Sequence, residues 1–349
     1  SGGVGKTTTA AALAVEGARR GRRACVVTID PAKRLADALG LESLTNTAGR
    51  VEGDWDGELW ALMLDTESTF DDLVRRHAGS PEQAEGILAN RLYRNIAGAL
   101  SGTQEYMAME KLHELHDEDR YELVVVDTPP TRNALDFLDA PRRLTRFLDN
   151  RLFRLLVSPS RGYLKAMSVA TQAFLRTVSR VVGSEVVSDA IAFFKAFEGM
   201  EEGFRARAQR VQELLAGPSA AFVLVATPRR DAVAEAEFFA RRLIESGTGV
   251  DALVVNRLHP DFGGGRASDD AGALRRRAET LAGSPLGRLY DNLADFRQVA
   301  QSEESHFAAL AAQVTPAPVV RVPMLAGDVH DVDGLREVGR HLFGAARPA

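Results

Sequence analysis

The chain carries a single cysteine, Cys25, in 349 residues, which excludes an internal disulfide and any metal site built on two or more thiolates. No apolar run approaches the roughly 18 residues that a membrane-crossing helix needs. Positive charge is not in excess either. Against 48 aspartates and glutamates there are 43 lysines and arginines, a formal net charge of -5, whereas proteins that coat nucleic acid are usually basic. What remains, 45% hydrophobic and 26% charged residues, suits a large enzyme with one large core or two modest ones, expected in the cytoplasm.

Short β-branched apolar runs alternate with longer helical patterns, the signature of an α/β fold whose mostly parallel sheet is covered by helices on both faces. Strands are expected at Ala24 to Thr28, Leu59 to Leu64, Leu123 to Val126, Ala221 to Ala226, Ala252 to Val255 and Val319 to Val322. Several end in a polar residue or proline, at Asp30, Asp65, Asp127, Thr227, Asn256 and Pro323. In open α/β sheets ligands sit beyond the carboxyl ends of the strands, so chemistry is expected there. Between Arg132 and Gly217 strand signals vanish, and residues 132–216 read as a helical insertion within a single domain spanning 1–349. His259 to Gly272, rich in glycine and aspartate, reads as a mobile loop.

The chain opens SGGVGKTTTAAALA. Gly2, Gly3, Gly5, Lys6, Thr7 and Thr8 make up most of a phosphate-binding loop, G-x-x-x-x-G-K-[ST], whose first glycine would stand just before Ser1. Such a loop follows a buried strand and opens a helix; the alanine-rich run Thr8 to Arg20, stopped by Gly21, supplies the helix. A strand and that glycine, about ten residues together, are expected to precede Ser1. The loop Gly2, Gly3, Val4, Gly5 is expected to curl around phosphate oxygens. Lys6 should reach the β- and γ-phosphates, and the Thr7 hydroxyl should bind Mg²⁺. A glycine-rich helix entry without a ligand is the plainer alternative.

Two acidic strand ends complete the pattern. In YELVVVDTPPT, Asp127 stands where a carboxylate can hold a Mg²⁺-bound water; in VVTIDPAKRLADALG, Asp30 is the candidate that orients the attacking water in phosphoryl transfer. Taken alone, each could equally be a turn or helix-capping aspartate; beside the phosphate loop the catalytic reading is favoured.

Ser1 to Thr8, the run from Asp30, the run from Asp127, Asn256 in VVNRL and Pro323 in VRVPML resemble, in order, the motifs of the arsenical pump-driving and tail-anchored-protein-targeting ATPases. The resemblance covers the α/β core and extends to the position of the insertion. It implies a P-loop ATPase using ATP and Mg²⁺, with Asp30 in switch I, Asp127 in switch II, Asn256 reading adenine and Pro323 flanking the base. It also implies a two-fold dimer in which a lysine reaches the partner's nucleotide. This chain has Ser1 at that lysine's place. Either Lys33 and Arg34 supply the missing charge in a homodimer, or a paralogous subunit supplies it in a heterodimer.

With Cys25 alone, neither the family's metalloid site nor its zinc pair is expected. His113 and His116 share a helix face, yet a solvated helix end accounts for them. The insertion interleaves arginines such as Arg142, Arg146 and Arg151 with Leu144, Phe147 and Leu148. Such helices can lie on a membrane or cradle an apolar client helix, and can equally be core helices with a wet basic face. Scarce methionine argues against a promiscuous client groove. Three classes of function stay open: a dimeric switch ATPase driving a membrane partner or carrying an apolar client, a partition or positioning ATPase, and a weakly active nucleotide-binding scaffold. The acidic balance and long insertion disfavour the second, with no nucleic-acid partner expected, and the retained Lys6, Thr7, Asp30 and Asp127 disfavour the third.

Overall fold

Strand β1 (Arg23–Thr28) is buried from Ala24 onward without alternation, because both of its faces are covered. Ala24 and Val26 join the buried alanines of helix α1 (Lys6–Arg19); Cys25 and Val27 belong to a separate cluster with Leu62, Leu115 and Tyr121. The computed structural model describes residues 3–30, 32–90, 93, 103–128, 201–260, 262 and 270–344. The expectations placed on Ser1, Gly2, residues 132–200 and Gly263 to Gly265 lie outside the described residues.

After β1 come α2 (Arg34–Leu39), β2 (Gly49–Val51), β3 (Glu58–Met63), α3 (Thr66–His77), α4 (Pro81–Leu88), α5 (Thr103–Asp117) and β4 (Leu123–Asp127). The four strands form one sheet in the order β2-β3-β1-β4. β1 runs parallel to both neighbours, with Thr28 opposite Met63 and Asp127, and β2 is antiparallel to β3. β2 was not expected from the sequence, because three residues are too short to carry an alternation. Asp65, one of the polar strand ends, caps α3: its carboxylate accepts from Glu67 N and Ser68 N.

Helix α6 (Glu201–Ala216) closes the expected insertion and packs on α5 through a buried ion pair, Arg207 Nε to Glu110, to which Tyr106 also donates. The chain continues through β5 (Val223–Ala226), α7 (Arg230–Glu245), β6 (Ala252–Leu258), α8 (Ala271–Thr280), α9 (Pro285–Gln313), β7 (Val319–Pro323) and α10 (Val332–Phe343). β5, β6 and β7 make a second, wholly parallel sheet, with Leu224, Leu253 and Val255 packed beside Phe307 and Leu310 of α9 and Ala236 and Ala240 of α7.

Helix α1 holds the site in place. Ala11, Ala14 and Ala18 are fully buried, and a Cβ on Gly17 would lie 2.6 Å from Leu123 Cδ2, so only small residues let α1 sit this close to β4. α10 covers it from outside with Leu335 and Val338.

Candidate active site

Gly3 and Gly5 have φ of 83° and 96°, a left-handed backbone that glycine adopts without steric cost, and the chain turns there into α1. No side chain caps the helix start. Its first intrahelical bond runs from Thr9 N to Gly5 O (2.9 Å), so the N–H groups of Lys6, Thr7 and Thr8 precede it and are free to meet an anion. Gly5 is needed for a second reason. A Cβ there would lie 2.1 Å from Asn256 Nδ2, closer than any side chain can approach.

The β4 run LVVVD delivers Asp127 to the carboxyl edge, 2% exposed. Its Oδ2 accepts from Thr7 Oγ1 at 2.7 Å and from Thr28 Oγ1 at 3.0 Å, while its Oδ1 is buried without a hydrogen-bond partner. Burial pushes the Asp127 carboxyl above the ordinary carboxylate range, against the opposing pull of the Thr7 and Thr28 hydroxyls and of Lys6. Burial likewise lowers the Lys6 ammonium, which the charges of Asp127, Glu235 and Asp30 hold up. An orphaned carboxylate oxygen beside a threonine hydroxyl is a hard-oxygen donor set that fits Mg²⁺, which characteristically takes one or two carboxylates and leaves its other positions to water and phosphate. Among the described residues no group of three or more His, Cys, Asp or Glu is placed to cage a metal ion.

Asp30 stands two residues beyond β1. Its N–H donates to Thr28 Oγ1 (3.2 Å), its Oδ1 accepts from Ala32 N (3.0 Å), and its Oδ2 lies 3.6 Å from Arg34 Nη1. The turn role considered for this aspartate is therefore real, and it leaves the carboxylate partly exposed within electrostatic reach of Lys6 and Asp127. Lys33 precedes α2 and is exposed, as is Arg34.

Asn256, on β6 of the second sheet, comes to the loop itself: Nδ2 donates to Val4 O at 2.9 Å, and Oδ1 accepts from Arg257 N at 2.9 Å. Pro323 ends β7 opposite Leu258, with Met324 N bonded to Leu258 O (2.7 Å), and no described contact joins it to the loop. Cys25 is fully buried, and burial pushes its thiol up to about 12. His113 on α5, expected at a solvated helix end, is instead buried, with Nδ1 2.9 Å from Asp117 Oδ2. The sequence reading missed Thr28, whose hydroxyl donates to the Asp127 carboxylate and accepts from Asp30 N. A threonine ending an apolar strand reads as one more β-branched residue, and only its spacing of two before Asp30 could have flagged it.

The family described as anion-transporting ATPase matches residues 1–280. The putative arsenical pump-driving ATPase 1 of Aquifex aeolicus is 22% identical over 361 residues, covering 99% of this chain and 78% of that protein. The ATPase GET3 of Malassezia globosa is 33% identical over 147 residues, 42% of each chain. That of Aspergillus terreus is 31% identical over 150 residues, 42% of this chain and 43% of its own. The chain thus aligns with less than half the length of these GET3 relatives. A match that runs from residue 1 to residue 280, through the phosphate loop, both acidic strand ends and Asn256, makes this chain a member of the anion-transporting ATPase family.

Proposed function

We propose that this protein binds Mg-ATP and hydrolyses it as a dimeric switch, coupling turnover to a membrane partner or an apolar client. The observation that carries the reading is the pairing of Thr7 with Asp127, whose buried Oδ1 has no partner, at the mouth of a left-handed glycine loop. The N–H groups that open α1 cradle the phosphates, and Lys6 offsets charge on the β- and γ-oxygens. Thr7 and Asp127 would hold Mg²⁺, which supplies neutralisation of phosphate charge. Asp30 orients the attacking water, Asn256 meets the adenine edge, and Pro323 borders the base.

Ser1 offers no cation to a partner's nucleotide, so the second charge comes either from Lys33 and Arg34 or from a paralogous subunit that retains the lysine. Residues 132–216 are the surface for a client or membrane partner, which would give a cytoplasmic protein peripheral contact with the membrane. The deciding experiment measures Mg-ATP turnover on the full-length protein, with sedimentation in a non-hydrolysable ATP analogue. Slow Mg²⁺-dependent turnover with analogue-dependent dimerisation supports the reading. Binding without turnover would leave a nucleotide-binding scaffold, and a tight homodimer unaffected by Lys33→Ala and Arg34→Ala would remove both sources proposed for the missing charge.

A further inference from the structure

We infer that Asn256 is a positioning residue for the phosphate loop, in addition to any role at the base; this rests on the nucleotide-binding reading above. Val4, in the loop before α1, and Asn256, on β6 of the second sheet, are 252 positions apart, yet the carboxamide N–H donates to the Val4 carbonyl at 2.9 Å. Val4 is buried, between two glycines in the left-handed conformation. A loop with so much conformational freedom needs an external bond to hold its shape. The carboxamide supplies one, and its approach leaves no room for a Cβ at Gly5.

The side chain is itself fixed. Oδ1 accepts from Arg257 N, and Arg257 has φ of 60°, uncommon outside glycine, at the irregularity that interrupts the β6–β7 register between Val255 and Leu258. The strand end is bent at the residue that orients the carboxamide. These bonds use one amide hydrogen and one carbonyl lone pair, and an asparagine has two of each. Asn256 can therefore meet a base without releasing Val4, and base occupancy would steady the loop that grips the phosphates.

The test separates phosphate from base. Inorganic tripolyphosphate with Mg²⁺ presents the phosphate chain alone, and its affinity for the full chain is compared with those of ATP and GTP by calorimetry, in wild type and Asn256→Ala. Loss of one hydrogen bond that orders the loop is expected to weaken tripolyphosphate binding by about three- to tenfold, with ATP losing at least as much. A base reader alone would lose affinity for ATP and keep that for tripolyphosphate, and this result would overturn the inference. Hydrogen exchange of the nucleotide-free protein is the second readout. Faster exchange in the peptide over Gly3 to Ala10, with the β6 peptide unchanged, supports the inference, and unchanged exchange in the loop counts against it. Wild-type protein that binds neither tripolyphosphate nor ATP would sink the nucleotide reading itself, a failure distinguishable from that of Asn256 alone.

Discussion

Thr28→Val removes one hydroxyl and keeps the shape of a buried strand residue, so its effect reports the two hydrogen bonds that the hydroxyl makes. One donates to Asp127 Oδ2 at 3.0 Å and the other accepts from Asp30 N at 3.2 Å. A hydrogen bond to a charged group contributes about 1.5–3 kcal/mol. Asp127 cannot recover it from solvent, being 2% exposed, and Thr7 would be left as its only side-chain donor among the described residues. If the carboxylate is needed in its ionised form and held in place, turnover falls by roughly ten- to a hundredfold. The pH dependence is the sharper signature. The Thr28 hydroxyl is one of the groups that hold the Asp127 carboxyl down against burial, so without it the acid limb of the pH–rate profile moves to higher pH. Mg-ATP turnover across the acid and neutral range is the assay, with Thr28→Ser as the rescue, since serine restores both bonds. A valine variant within about twofold of wild type at every pH would refute the reasoning.

Asp30→Asn should keep nucleotide affinity while turnover drops by roughly 10² or more, and equilibrium binding beside steady-state rates separates the two; turnover at the wild-type rate would remove Asp30 from the catalytic role. Asp127→Asn should abolish Mg²⁺-dependent turnover yet raise the melting temperature of the nucleotide-free protein at pH 7. Burial raises the Asp127 carboxyl above its unfolded value, so its contribution to stability is full below that value and is lost as the pH rises through the folded one. Asparagine carries no such charge, so the gap, on the order of a few degrees, closes on acidification. Thermal melts across pH measure it, and a variant that melts below wild type at pH 7 contradicts the account.

The parallel strands were legible from sequence. β1, β3, β4, β6 and β7 begin within one residue of their expected starts, because each opens on or beside a short run of valine, leucine or alanine bounded by polar residues or turns. β5 starts two residues later than expected, at Val223, and β2 carries too few residues for any pattern. At the site, Lys6, Thr7, Asp30 and Asp127 lie close to one another in the fold, and motif spacing is enough to find residues of that kind. Thr28 and the contact of Asn256 with Val4 were not legible. A hydroxyl within a strand has no pattern of its own, and a contact across 252 residues exists only once the loop before α1 meets the end of β6.

The close seat of α1 on β4 decides which part of the site can move. With Gly17 against Leu123 and three alanines fully buried, the phosphate loop and Asp127 share one rigid body, and neither can shift without opening a void in the core. Asp30 itself lies outside that body: its carboxylate is partly exposed beside the exposed Arg34, between the buried Ile29 and a six-residue helix that Leu35, Ala38 and Leu39 seat in the core. On the switch reading proposed above, a change at the nucleotide's outer phosphate would be read by the residues around Asp30 moving against a stationary floor, as a needle moves against a dial. Substitutions that loosen that floor, such as a larger side chain at Gly17, would blur the reading before they cost the protein its fold.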